Sequence, residues 1–156
     1  MCGIVGIISS KEVSGRIINS LKKLEYRGYD SAGIATLFDG EINEVKSEGR
    51  VDNLEQNFDL KSLKGNIGIG HVRWATHGAP NSINAHPHSS DNVSVVHNGI
   101  IENSTNLKKH LINKGHTFKS QTDTEVIVHL ITENLKTMEL EEAITKTLKQ
   151  LHGSFA

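Results

Sequence analysis

The sequence predicts a mixed α+β fold in which β-sheets are covered by helices. Strand-like apolar runs dominate the first part of the chain, and amphipathic helical patterns dominate the last part. The dipeptide Asp39-Gly40 lies between two strand-like runs and is a strong hairpin signal. A chain in which strands come first, joined by hairpins, and helices come later is typical of the α+β class of folds. The 156 residues suit one compact domain or a large piece of one.

Composition and charge exclude several classes of protein. Hydrophobic residues make up 36% and charged residues 22%, which is typical of neither a disordered chain nor a membrane protein. A net charge of -1 and an aromatic content of 4% argue against a nucleic-acid or anionic-membrane partner. A single cysteine cannot form an internal disulfide, and the sequence contains neither a signal peptide nor a membrane-spanning run. We therefore expect a cytoplasmic protein.

The N-terminal half is predicted to be rich in strands. In order, the predicted elements are a buried strand at 4–9, a helix at 12–25, a glycine-punctuated loop at 26–33, hairpin strands at 34–38 and 41–46, and a strand at 66–74 followed by a polar loop to about residue 92. The helix is assigned because its apolar side chains recur on one face, opposite lysines.

The C-terminal half is predicted to be mainly helical. In order, the predicted elements are a short strand at 93–96, a helix at 104–113 that Gly115 ends, a helix opened by a capping-box-like sequence at 122–125, a helix at 140–151, and the start of a strand at 152–156. Because this last strand is begun and not completed, we expect the chain to be part of a larger domain.

The single cysteine is residue 2, directly after the initiator Met. Aminopeptidases remove Met when the next side chain is small, so the mature chain would begin with Cys2 and carry a thiol and a free α-amine. An α-amino group has a pKa of about 8 and can act as a base near neutrality, here through a bridging water. The alternative is an incidental buried cysteine at the head of a strand.

Three further places in the sequence offer groups that could converge on Cys2. The amide of Asn98 and the backbone N–H of Gly99 could form an oxyanion hole, although this dipeptide is also typical of a hairpin turn. Arg73 could grip a carboxylate with two guanidinium nitrogens, or make a structural ion pair. Asp123 could bind an ammonium group, or lie at a helix entry because the helix dipole favours it there.

Five of the nine histidines fall within residues 71–97, which raises the question of a metal site. No second cysteine, His-Glu-x-x-His motif or carboxylate set at ligand spacing accompanies them, so hydrogen-bonded loop histidines are favoured over a metal-binding domain. Gly68-x-Gly70 lacks the rest of a dinucleotide-binding motif. We therefore expect neither a metal nor a cofactor.

Together these pieces resemble one family, the class II glutamine amidotransferases, which are N-terminal-nucleophile hydrolases. The matching stretches come in the family's order and are 1–7, 26–33, 71–78, 97–103 and 122–126. The resemblance implies a four-layer αββα sandwich, C-terminally incomplete here. It also implies that residues 1–156 are the N-terminal portion of a glutaminase domain.

The resemblance implies a catalytic set that surrounds the first residue of the mature chain. Once Met1 is removed, Cys2 would be the nucleophile that attacks the side-chain amide of glutamine. Asn98 and Gly99 would stabilise the oxyanion, and Gly28 would shape the pocket beside the nucleophile.

The resemblance also implies a substrate-binding set. Arg73 would hold the α-carboxylate of glutamine, with help from Thr76 and His77. Asp123 would bind the α-ammonium group, so that the two charged groups on the α-carbon of an amino acid would each meet a side chain of opposite charge. Trp74 would lie near the exit through which ammonia passes.

Within the family, the stretches 26–31, 73–78 and 84–88 are similar to the synthases that make glucosamine 6-phosphate from fructose 6-phosphate. This implies an enzyme that hydrolyses L-glutamine through a Cys2 γ-glutamyl thioester, in a homodimeric parent whose sugar-isomerase domain is absent here. Alternatives are the glutaminase domain of another class II amidotransferase, such as the phosphoribosyl-amine-forming enzyme, and a non-catalytic glutamine-binding fragment.

Overall fold

The computed structural model describes residues 2–75 and 78–156. The strands in these residues are β1 (Gly3–Ile8), β2 (Ser31–Phe38), β3 (Glu41–Glu48), β4 (Ile67–Arg73), β5 (His88–Ser90), β6 (Val93–Val95), β7 (Gly99–Ile101) and β8 (Gly153–Phe155). The helices are α1 (Ser14–Leu24), α2 (Val51–Asn57), α3 (Ser104–Asn113), α4 (Glu125–Leu135) and α5 (Leu140–Gln150), and a single 3₁₀ turn covers Glu25–Arg27.

Four strands form one antiparallel sheet in the order β1-β4-β2-β3. In this sheet β4 lies inside, where Val72 pairs with Gly3 on one side and with Ala32 on the other. The hairpin predicted between β2 and β3 is confirmed. Its turn residues Asp39 and Gly40 have φ values of 51° and 82°, as a two-residue hairpin turn requires.

Alternation along β4 divides its side chains between helix α1 and the opposite face. Val72 packs with Ile17 of α1 in a fully buried core. Gly70 lies so close to the same helix that a Cβ there would come 2.4 Å from the Ile17 side chain. Because successive side chains point to opposite faces of a strand, His71 and Arg73 face away from α1.

A second layer covers the face of the sheet that is turned away from α1. The carbonyl oxygen of His86 would lie 2.2 Å from a Cβ at Gly33 of β2, so this close approach requires glycine. Lys46 of β3 donates a hydrogen bond to the carbonyl oxygen of Pro87 at 3.1 Å. Helix α4 contacts β5 and β6 in this second layer. The succession of helix, sheet, sheet and helix agrees with the predicted αββα arrangement.

A second apolar core lies among α3, α4, α5 and the β7-β8 pair. Its buried members are Ile101, Leu111, Val126, Ile127, Leu130 and Leu151. Val126, Ile127 and Leu130 of α4 therefore face this core, and the strand predicted near the end of the sequence is β8. No helix within residues 2–75 and 78–156 is long and apolar enough to cross a membrane.

The sequence patterns predict neither α2, β5 nor β7. Helix α2 has seven residues, too few for its periodicity to be distinctive. The strands β5 and β7 have three residues each and form by pairing with β6 and β8. The loop predicted at 26–33 also ends early, because Ser31–Gly33 pair with β4 and already belong to β2.

Candidate active site

A cavity of about 490 Å³ opens beside the start of β1, the end of β4 and the start of β7. It brings together six predicted site residues from four separate stretches of the sequence: Cys2, Arg73, Trp74, Asn98, Gly99 and Asp123. The other residues that line it are Arg27, His71, His86, His97, Ile100, Thr122 and Thr124. Thr76 and His77, which were predicted to assist Arg73, lie outside the described residues.

Cys2 immediately precedes β1, and its thiol lies against the chain that leaves β4. The backbone N–H of Trp74 donates to Sγ at 3.2 Å, and the carbonyl oxygen of the same residue lies 3.5 Å from Sγ. Cys2 is only half-buried and lines the cavity. Cys2 is therefore not the buried residue of the alternative interpretation, and it lies where a ligand in the cavity can meet it.

Arg73 ends β4 and lines the cavity with 4% of its surface exposed. One guanidinium nitrogen lies 3.9 Å from a carboxylate oxygen of Asp30 and donates to the carbonyl oxygen of Ala79 at 3.2 Å. The same Asp30 accepts hydrogen bonds from the Ala75 N–H and from the Ser31 hydroxyl. Arg73 therefore both makes an ion pair with Asp30 and lines the cavity, and Asp30 holds the guanidinium group at the cavity wall.

Asn98 and Gly99 do not form a hairpin turn; they lead into β7. Asn98 exchanges two backbone hydrogen bonds with Ala156, at 2.9 and 2.8 Å, and Gly99 pairs with Phe155. Since hydrogen-bonded and non-hydrogen-bonded pairs alternate in antiparallel strands, the N–H of Gly99 is turned away from β8. Gly99 has a φ of 128°, and a Cβ there would lie 2.2 Å from the Ser154 carbonyl oxygen. Glycine is therefore required at this position.

The side-chain amide of Asn98 lies between Cys2 and a buried histidine. Its Nδ2 is 3.4 Å from the carbonyl oxygen of Cys2, and its Oδ1 is 2.8 Å from Nε2 of His71. An amide donor thus lies next to the residue that carries the thiol, and Gly99 lies beside it in the cavity wall. This arrangement places hydrogen-bond donors beside a thiol, which is the composition of an oxyanion hole.

Asp123 lies two residues before α4 and accepts a hydrogen bond from the N–H of Ile101 at 2.7 Å. By the alternation in β7, this N–H and that of Gly99 lie on the same side of the strand. The carboxylate of Asp123 therefore lies in the cavity wall on the side of β7 to which the Gly99 N–H points. It is also near the positive end of the α4 dipole. A carboxylate in this place suits an ammonium ligand.

The capping box predicted at 122–125 is wrong. The N-cap of α4 is Thr124, and its side chain makes no capping hydrogen bond. Its hydroxyl lies 2.8 Å from Nδ1 of His97, and the hydroxyl of Thr122 lies 3.0 Å from Nε2 of His88. The threonine side chains are thus engaged with buried imidazoles, which leaves them unable to cap the helix.

Gly28 lies under the indole ring of Trp74. It has a φ of 121°, and a Cβ there would lie 2.6 Å from the ring. Trp74 is 52% exposed, so its indole does not fill the core. Gly28 is not among the residues that line the cavity, but its lack of a side chain leaves room for the indole of Trp74, which does line it.

Four buried histidines form a cluster next to Asn98, and none of them was predicted as a site residue. They are His71, His86, His88 and His97. The rings of His71 and His86 stack with 4.2 Å between centroids. Burial lowers the pKa of His71 to about 4 and that of His88 to about 3, and it also lowers the pKa values of His86 and His97. The cluster is therefore uncharged near pH 7 and acts through hydrogen bonds and stacking.

Comparison with known proteins identifies the class to which this fold and cavity belong. Residues 71–156 match the glutamine amidotransferase domain family. The whole chain is 54% identical to glutamine–fructose-6-phosphate aminotransferases (isomerizing) of Mesorhizobium japonicum and Pyrococcus horikoshii, of which it covers 26% and 27%. It superposes over its full length on 34% of a B. subtilis glutamine phosphoribosylpyrophosphate amidotransferase, with a TM-score of 0.85 and 34% identity.

The chain belongs to the glutamine amidotransferase domain family, and its fold is that of the N-terminal-nucleophile amidotransferases. The predicted family is therefore confirmed. Within the class, the sequence is more similar to the two aminotransferases than to the phosphoribosylpyrophosphate enzyme. The chain spans about a quarter of the length of the curated relatives it matches.

Proposed function

We propose that this chain is the glutaminase part of an isomerizing glutamine–fructose-6-phosphate aminotransferase. It would hydrolyse L-glutamine to glutamate and ammonia. The rest of the parent enzyme, a sugar-isomerase domain in a homodimer, would use the ammonia to convert fructose 6-phosphate to glucosamine 6-phosphate. The observation that carries the proposal is the meeting of Cys2, Asn98 and Gly99 in one cavity with Arg73 and Asp123.

The first half of the reaction forms a thioester. The α-amine of Cys2 takes the proton of the thiol, and the resulting thiolate attacks the side-chain amide carbon of glutamine, whose carbonyl electron pair moves onto oxygen. The resulting oxyanion is held by Nδ2 of Asn98 and the N–H of Gly99. The α-ammonium group of Cys2 then gives a proton to the amide nitrogen, the C–N bond breaks, and ammonia leaves.

The second half of the reaction restores the enzyme. The α-amine of Cys2 takes a proton from a water molecule, which attacks the carbonyl carbon of the γ-glutamyl thioester. The C–S bond breaks, glutamate leaves, and the thiol is restored with the proton. The same α-amine takes up a proton and gives one back in each half of the reaction, which requires a free N-terminus.

Substrate selection would rest on the two charged walls of the cavity. Arg73, held by Asp30, would bind the α-carboxylate of glutamine, and Asp123 would bind its α-ammonium group. Trp74 would border the route by which ammonia leaves. The phosphoribosyl-amine-forming reaction is the second candidate, supported by the B. subtilis structure, but the identity of 34% against 54% favours the aminotransferase.

The proposed function is tested by labelling with 6-diazo-5-oxo-L-norleucine, a glutamine analogue that alkylates nucleophiles. We expect intact-mass spectra to show loss of Met1 and one adduct, which maps to Cys2 and is prevented by L-glutamine. The matched control is Cys2→Ala, which should take no adduct. The absence of an adduct on a folded, Met-free sample would contradict the proposal. A rise in melting temperature with glutamine, without glutamate formation, would indicate the non-catalytic binding alternative.

Asn98→Ala is expected to lower kcat by about 10²- to 10³-fold, because it removes one donor from the oxyanion. KM should change little, since the amide of Asn98 is not expected to bind the charged α-carboxylate or α-ammonium group of glutamine. The measurement is steady-state glutamate formation. The control is Asn113→Ala, which removes an exposed asparagine that does not line the cavity. A kcat close to that of the wild type would remove Asn98 from the oxyanion hole.

A further inference from the structure

His71 lies in β4 with none of its surface exposed, yet its ring reaches the cavity wall. Its Nε2 lies 2.8 Å from Oδ1 of Asn98. Because side chains alternate along β4, His71 lies on the same face as Arg73, which is the last residue of the strand and lies two positions further on. On that face its ring stacks on His86, whose backbone lies against Gly33. The imidazole is thus fixed in position by packing on the sheet.

The amide of Asn98 can be held in two orientations that differ by exchange of its oxygen and nitrogen. In the orientation observed, the oxygen faces His71 and the nitrogen donates toward the Cys2 carbonyl oxygen. The reverse orientation would set two acceptor oxygens against each other at Cys2. Since Oδ1 can only accept, the observed orientation requires His71 to carry a proton on Nε2 and to donate it.

We infer that His71 is a positioning residue for the hydrolysis proposed above. Its Nε2–H holds Oδ1 of Asn98, so that Nδ2 stays directed at Cys2 and at the oxyanion formed there. The inference rests on the proposed function for its effect on rate, and on the geometry alone for its effect on the orientation of the amide. Burial keeps the pKa of His71 at about 4, so the ring is neutral in the working pH range.

The kinetic test compares two substitutions of His71 that differ in their ability to donate. His71→Met keeps the bulk but removes the donor, and we expect kcat to fall by up to about 100-fold with KM nearly unchanged. His71→Gln can donate from nearly the same place and is expected to keep kcat within about threefold of the wild type. His129→Met removes a buried histidine on α4, next to Glu125, and serves as the control for loss of a buried imidazole.

A double-mutant cycle separates positioning from a general structural effect. In an Asn98→Ala background, His71→Met should cause no further loss of kcat, because the group that it positions is already absent. An equal loss in both backgrounds would overturn the inference, as would a folded His71→Gln protein as slow as His71→Met. If His71→Met does not fold, His71→Gln decides the question, and a drop in its kcat of about tenfold or more counts against positioning.

A spectroscopic test does not depend on activity. In protein labelled with ¹⁵N-histidine, we expect Nε2 of His71 to be protonated at neutral pH and its resonance to move in Asn98→Ala. A bare Nε2, or a resonance unaffected by Asn98→Ala, would overturn the inference even if the wild-type chain hydrolyses glutamine. Conversely, a wild-type chain that fails to hydrolyse glutamine but shows the expected resonance contradicts only the proposed function.

Discussion

Cys2→Ala is expected to abolish glutamine hydrolysis, with a loss of kcat on the order of 10⁶-fold, the scale seen when hydrolases lose their nucleophile. The reason is that no thioester can form without Sγ, and the sequence contains no other cysteine. The remaining donors could still polarise the substrate, but no protein nucleophile would attack it. The measurement is glutamate formation from L-glutamine in single-turnover and steady-state assays.

The control for this prediction is substrate binding. Cys2 is half-buried and makes its sulfur contacts with the backbone of Trp74, so Cys2→Ala should leave the melting temperature close to that of the wild type. Glutamine should still raise that temperature, because Arg73 and Asp123 are unchanged. A Cys2→Ala protein that keeps about a hundredth or more of the wild-type rate would show that the thiol is not the nucleophile.

The groups that meet in the cavity could be predicted from the sequence because each carries its chemistry in its own side chain or motif. Cys2 stands out by position, Arg73 and Asp123 by charge, and Asn98-Gly99 by its paired donors. The choice between an oxyanion hole and a hairpin turn could not be made locally. It depends on β8, which pairs with Gly99 from more than fifty residues away.

The histidine cluster could not be predicted for a related reason. Alternation along β4 shows that His71 and Val72 face opposite sides of the sheet, but it does not tell which side faces α1 and which faces the cavity. His86 lies in the loop that leads to β5, where its backbone contacts the sheet at Gly33, and His88 is the first residue of β5. The only local signal was the large number of histidines within residues 71–97, and such a concentration of histidines is equally typical of a metal site.

The start of α4 shows how tertiary contacts override a local motif. The sequence at 122–125 has the residue types of a capping box, and a helix does begin there. The hydroxyl of Thr124 instead contacts His97, and that of Thr122 contacts His88. A hydroxyl next to a buried imidazole satisfies a polar group that would otherwise be costly to bury, whereas helix N–H groups can find other acceptors. The motif therefore locates the helix correctly but misassigns its hydrogen bonds.

A chain that keeps a residue before Cys2 is expected to lose kcat by about 10²- to 10⁴-fold, because an amide nitrogen cannot act as acid or base. Sγ of Cys2 contacts the backbone N–H of Trp74, and its carbonyl oxygen lies next to the Asn98 amide. A residue kept before Cys2 should therefore convert the α-amine into an amide, which cannot transfer protons, and should leave the thiol and the Asn98 amide in place.

The experiment uses one preparation with a short extension before Cys2 that a site-specific protease removes to leave Cys2 first. Glutamate formation is measured before and after cleavage, and the cleaved sample should gain activity without a change in melting temperature. Its rate should fall as pH drops below about 8, the range in which an α-amine becomes protonated and ceases to be a base. Full activity before cleavage would exclude the amine as the base, and the water that attacks the thioester would then have to be activated by another group in the cavity wall.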